Sequence, residues 1–114
     1  MVGHAVLALR LRRLPVATVL GLEVPVARGA RARFLGLSYL GCDEAGPGLF
    51  IPRCSSVHTF GMRFALDLCF LDERHSLLAV HREIPARRVV FHRDASAVLE
   101  IPAGEGGEFS PPHS

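Results

Sequence analysis

Lysine, asparagine, glutamine and tryptophan are absent from this chain of 114 residues. All 13 basic residues are arginine. That bias fits a GC-rich coding sequence, and the missing amides also fit a source that grows warm. Cysteine is scarce and odd in number: Cys42, Cys54 and Cys69. An odd count with no secretion signal argues against a disulfide framework. Long hydrophobic runs are missing too. The longest apolar stretches are short and interrupted by arginine, so none spans a bilayer. Arg10, Arg12 and Arg13 break the stretch 1–22 where a signal peptide needs its uncharged core. These absences predict a cytoplasmic protein with no membrane span. There is no Cys-x2-Cys pair and no His-Glu-x-x-His, so Cys54-x3-His58 and the scattered Cys42, His75, His81 and His92 predict no metal site. No cofactor is expected either.

What is present is an ordinary globular composition, 49% hydrophobic and 21% charged, enough for one domain with one core. The domain is expected to occupy residues 1–104, with a flexible Gly-, Pro- and acid-rich tail over 105–114. Net charge is +2 but unevenly placed. Residues 1–40 hold six arginines and one acid, Glu23, for +5; residues 41–114 hold seven arginines and ten acids, for −3. The basic third could meet an anionic partner. Without aromatic interleaving or a nucleic-acid module, at most weak, salt-sensitive and non-specific nucleic-acid binding is expected.

Residues 4–10 and 16–24 read as strands. Pro25 opens a helix-like stretch in which Val26, Ala30, Phe34 and Leu37 share a face; Gly29 weakens it. Short strands are expected at 49–51 and 57–60. The strongest runs from Phe64 to Leu71: Phe64, Leu66, Leu68 and Phe70 on one face, Ala65, Asp67, Cys69 and Leu71 on the other. Both faces are largely apolar, which predicts a central strand covered on both sides. A polar turn at 72–76 leads to strands at 77–82, 88–92 and 97–101. The fold class expected is α+β: compact, β-rich and mainly antiparallel, with a barrel-like sheet and one short helix.

The densest chemistry lies between Arg53 and Asp67. Asp67 is a carboxylate in a strand that otherwise reads as dry, and an isolated buried charge is very costly. Donors nearby in sequence are Arg53, Arg63, His58, Thr59 and the amides of the Gly61 turn. Two readings follow. Asp67 pins a loop through those donors, or it stands at the mouth of a polar pocket built from Arg53, His58, Thr59, Met62, Arg63 and Asp67. His58 and Asp67 also suit a base and its orienting group, with Cys54, Ser55 or Ser56 as nucleophile, although no Gly-x-Ser-x-Gly elbow is present.

The segment 57–72, Val-His-Thr-Phe-Gly-Met-Arg-Phe-Ala-Leu-Asp-Leu-Cys-Phe-Leu-Asp, resembles the hallmark of the family known as Domain of Unknown Function 192. Arg33-Phe34-Leu35-Gly36-Leu37 is similar to that family's Arg-x-x-Gly-Leu. Residues 97–104, Ala-Val-Leu-Glu-Ile-Pro-Ala-Gly, are similar to its closing strand. The three motifs in order cover about residues 17–104. Ala65 replaces the family's usual proline, and the tail lacks its terminal Gly-Asp. The resemblance implies a compact β-rich α+β domain and no settled activity. The His-Thr-Phe-Gly-Met-Arg-Phe form resembles arginine-rich members found beside pilus-assembly proteins, which implies a pilus-assembly or envelope-related partner.

The leading functional expectation is a binding or accessory domain for a small molecule or protein partner, with its polar pocket near Asp67. The alternative is a small hydrolase using His58 and Asp67.

Overall fold

The computed structural model describes residues 8–104. The expected tail and most of the expected 4–10 strand lie outside them. Leu9–Arg12 forms a single helical turn, α1, whose one buried residue is Leu11. A run with one inward leucine suits a helical turn as well as a strand, so alternation over a few residues does not decide between them.

The expected 16–24 strand is a hairpin, β1 (Val16–Val19) and β2 (Leu22–Pro25). Its turn places Leu20 at φ 51° and Gly21 at φ 80°. Two successive positive φ values match the right-handed twist of a two-residue hairpin, and leucine is a poor signal for the first of them. The helix α2 covers only Ala30–Leu35. Gly29, at φ 88°, precedes it and Gly36, at φ 54°, follows it. Pro25 belongs to β2, and Val26 bridges Phe50 instead of entering the helix. The expected helical face therefore does not form: Leu37 is fully buried beyond the helix, while Phe34 is 69% exposed.

A short 3-10 turn (Cys42–Glu44) precedes six strands: β3 (Leu49–Pro52), β4 (Ser56–His58), β5 (Leu66–Leu71), β6 (Leu77–Ile84), β7 (Val89–Phe91) and β8 (Ala97–Pro102). The main sheet is four-stranded and antiparallel in the order β3-β8-β5-β6, and β4 pairs with β7 in a separate antiparallel ribbon. The architecture is the α+β, mostly antiparallel one expected, with two short helices and three separate sheets among the described residues.

All six residues of β5 are buried, as its two apolar faces require. Leu66, Leu68 and Phe70 pack with Leu37, Leu49, Ile51, Val57, Met62 and Val98. Cys69 and Leu71 pack with Val19, Val24, Phe50, Leu99 and Ile101. The sheet is thus a middle layer. The helices and the 57–62 segment cover one face, and the β1–β2 hairpin covers the other. Burying these side chains gains roughly 25 cal/mol per Å² of apolar surface.

Candidate functional site

The 53–63 segment folds back over α2. Arg33 donates to the carbonyls of Pro52 and Arg53, the latter at 2.8 Å. His58 bridges the helix to its own turn. The amide of Phe60 donates to Nδ1 at 3.2 Å, and Nε2 lies 3.0 Å from the Phe34 carbonyl. An Nδ1 that accepts leaves the proton on Nε2, which donates to that carbonyl. Both ring nitrogens are therefore engaged with backbone. The imidazole also lies between two rings, 4.9 Å from Phe34 and 5.8 Å from Phe60.

Thr59 is fully buried. Its hydroxyl donates to the Pro85 carbonyl at 2.7 Å and accepts the Arg88 amide at 2.8 Å. Met62 belongs to the core. Arg53 and Arg63 are exposed. Cys54 donates to the Ser56 carbonyl at 3.2 Å, and burial pushes its thiol up. A thiol held protonated is a poor nucleophile. Burial and then Asp67 push Cys69 up to about 12, an inert core position.

Asp67 is buried, as expected, but its donors are not those expected. Its Oδ1 accepts the Glu83 amide at 2.8 Å, and its Oδ2 lies 3.9 Å from Arg82 Nε. The cause is a β-bulge. Leu66 opposes Ile84 while Leu68 opposes His81, so Arg82 and Glu83 together face Asp67. Glu83 sits at φ 54°, and the carboxylate captures the amide that the bulge turns out of the ladder. Asp67 points to the hairpin side of β5, whereas Val57 and Met62 pack on the other side. The six expected pocket residues are thus not one pocket. Asp67 lines an open recess of about 280 Å³ with Arg82, Glu83, Ala103 and Gly104, and His58 lines a groove of about 310 Å³ with Arg33, Phe34, Cys54 and Ser56.

The bulge makes a prediction. Asp67→Ala leaves a partly buried amide unpaired and should cost on the order of 2 kcal/mol. Asp67→Asn keeps an acceptor and should cost less than half of that. Arg82 is 43% exposed at its side chain, so the ion pair itself adds little. Urea denaturation of both variants checks the order; equal losses would contradict it.

Glu100 is the residue that sequence reasoning passed over. It sits in β8 between Leu99 and Ile101, opposite Leu49 on one side and Leu68 on the other. Its carboxyl accepts the Leu37 amide at 3.2 Å, and burial pushes it up to about 7. Gly36 makes the approach possible, because a Cβ there would stand 2.7 Å from Glu100 Oε1. From the outer side, Arg10 donates to the carbonyls of Gly36 (2.9 Å) and Ser38 (2.7 Å). The turn after α2 is held by a cation on its carbonyls and a carboxyl on its amide. The signal for Glu100 was the one that flagged Asp67: a lone acid inside an apolar strand.

A profile of the DUF192 family, described as an uncharacterized ACR, matches residues 15–109. The chain belongs to this family. In this DUF192 domain the Gly36-Leu37 and Glu100 motifs are one contact between a turn and a strand, and the Asp67 motif is a bulge clamp on the opposite side of the sheet. Two solved structures share the fold. One is a protein of unknown function from Novosphingobium aromaticivorans DSM 12444, at 20% identity and a TM-score of 0.57 over 70% of this chain and 62% of that one. The other is a candidate transcription regulator from Sinorhizobium meliloti 1021, at 19% identity and a TM-score of 0.59 over 78% of each chain. The chain thus spans less than two thirds of the Novosphingobium protein's length, and likeness at these identities shows the fold alone. No functionally curated protein matches. Among the described residues of this DUF192 domain, no three His, Cys, Asp or Glu side chains are grouped to hold a metal, and no helix is long and apolar enough to cross a membrane.

Proposed function

We propose that this domain is an accessory module that docks an acidic protein partner on the outer face of the β4–β7 ribbon. The observation that carries the reading is a group of exposed apolar side chains there, Phe34, Phe60, Val89 and Phe91, set around His58 and Ser56. Ser56 opposes Phe91 and His58 opposes Val89, so these four side chains share one face of the ribbon. Val57 and Val90 turn inward. Phe91 is 68% and Val89 63% exposed. His58 continues the face through Phe34 and Phe60. Contiguous exposed apolar surface marks interaction sites, and the engaged imidazole serves as a fixed spacer between rings.

Charge selects the partner. Residues 45–66 and 85–93, the segments that carry most of the patch, contain no acid and include five exposed arginines, Arg53, Arg63, Arg87, Arg88 and Arg93. A second copy would bring like charges together, whereas an acidic rim complements them. The rings also pack on one another at 50° and 35°, unlike the free faces on which bases stack. Pilus-assembly or envelope-related proteins are the first partners to test. The three free thiols suit a reducing compartment, and we place the domain in the cytoplasm.

The hydrolase reading has less support, because His58 has no ring nitrogen left for a proton transfer and Asp67 is bonded elsewhere. The recess beside Asp67 is better explained by the bulge it clamps.

A photo-crosslinking residue in place of Phe91 tests the docking face, with the same residue in place of Glu23 on β2 as control. A discrete protein adduct from position 91, lost on Phe34→Ala with Phe60→Ala and missing from position 23, is expected. Equal adducts from both positions, none from 91, or a nuclease-sensitive adduct would overturn it.

A further inference from the structure

Four of the six arginines of the basic N-terminal third line one cleft. It lies between α1 and α2 and holds about 240 Å³. Arg10, Arg13, Arg28 and Arg31 stand around it, and Leu11, Leu14, Leu35 and Leu49 supply apolar lining. No acid lines it. Arg13, Arg28 and Arg31 are exposed, and the ion pair of Arg82 with Asp67 involves none of them. Arg10 is fixed on the Gly36 and Ser38 carbonyls. Burial, and then the neighbouring Arg31, pull its guanidinium below the ordinary value, against a weaker opposing effect of Glu44.

We propose that this cleft binds a small amphipathic anion: a phosphate or carboxylate head joined to a short apolar body. Arg13, Arg28 and Arg31 set three exposed guanidiniums around one opening that has no carboxylate among its described lining residues, and guanidinium is the group that recognises phosphate and carboxylate through paired N–H donors. The leucines beneath would gain nothing from a purely ionic ligand, but they bury a short alkyl or aromatic body. The cleft is a different surface from the docking face, so either assignment stands or falls without the other.

Hexyl phosphate is the probe, titrated by calorimetry into the full chain at about 0.15 M ionic strength, where diffuse charge attraction is screened. One saturable site per chain is expected, with affinity about tenfold or more above inorganic phosphate and above hexanol. Arg13→Gln with Arg31→Gln should weaken hexyl phosphate about tenfold or more. Leu14→Ser should narrow the preference over inorganic phosphate. Thermal unfolding confirms that these variants fold, and Arg28→Gln replaces any that does not. Equal affinity for hexyl phosphate and inorganic phosphate, or binding indifferent to the arginine pair, would overturn the proposal. Vesicles of phosphatidylglycerol and phosphatidylcholine form a second arm. Vesicle binding without hexyl phosphate binding would also overturn it, by assigning the charge to a lipid surface. Binding of both, lost in the same variants, supports the cleft with a lipid head as the source of the anion.

Discussion

Gly36→Ala is expected to destabilise the domain by about 3 kcal/mol or more. Two costs combine. Gly36 has φ 54° and ψ −130°, a conformation that residues with a Cβ avoid. The new Cβ would also lie 2.7 Å from Glu100 Oε1, 3.1 Å from Oε2 and 3.2 Å from Cδ. Glu100 is buried between Leu49 and Leu68, so moving its carboxyl aside would give up the Leu37 amide. A double-mutant cycle separates the costs. In a Glu100→Ala background the steric part disappears and the backbone part remains, so Gly36→Ala should cost clearly less there. Urea denaturation reads both. A Gly36→Ala variant within about 0.5 kcal/mol of wild type would contradict the contact.

Glu100→Gln should change how stability depends on pH. The folded carboxyl is pushed up to about 7 by burial, against which the Leu37 amide acts only in part. An unfolded glutamate titrates near 4.3. The folded state therefore holds this proton more tightly, and its full advantage exists below about pH 4.3. As pH rises from there to about 7 the unfolded chain ionises first, and stability falls by on the order of 3 kcal/mol. Above about 7 the loss is complete. Glutamine carries no such proton, yet its carbonyl still accepts the Leu37 amide. The variant should lack this fall and should exceed wild type by on the order of 2 kcal/mol at pH 8. Exposed Asp72 has its carboxyl lowered by the Ser76 and Arg74 amides. Its opposite trend is common to both proteins and cancels in the difference. Parallel stability curves from pH 4 to 8 would contradict the assignment.

The strands were legible in the sequence where period-2 alternation ran long enough to be unambiguous. β5 and β8 stand where expected, and the apolar pattern of β5 on both faces correctly made it central. The errors fall where local signals compete. Leu20-Gly21 reads as mid-strand because leucine hides a positive φ. The helical spacing of Val26, Ala30, Phe34 and Leu37 is real, but Gly29 and Gly36 cut the helix to six residues, leaving Val26 and Leu37 beyond its ends and Phe34 turned to solvent. Phe34 stands instead on the face proposed for docking.

Site residues were legible as anomalies and not as partners. Asp67 stood out as an acid in a dry strand, yet its donor comes from a bulge in the neighbouring strand, which no local pattern announces. Glu100 carried the same signal, and its donor Leu37 is 63 positions away. His58 was read as a base because its type permits that role. The backbone groups that occupy both its nitrogens come from Phe34 and Phe60, and only the fold brings the first of them near. Charge asymmetry was legible as a sum over residues 1–40, while the cleft that gathers Arg10, Arg13, Arg28 and Arg31 depends on α1 and α2 packing together.

The docking face is tested most directly by hydrogen–deuterium exchange of the domain alone and with the protein captured through position 91. Slowed exchange at residues 56–60 and 89–91, with the β1–β2 hairpin unchanged, is the predicted footprint. Protection confined to residues 16–25, or none at the ribbon, would contradict it.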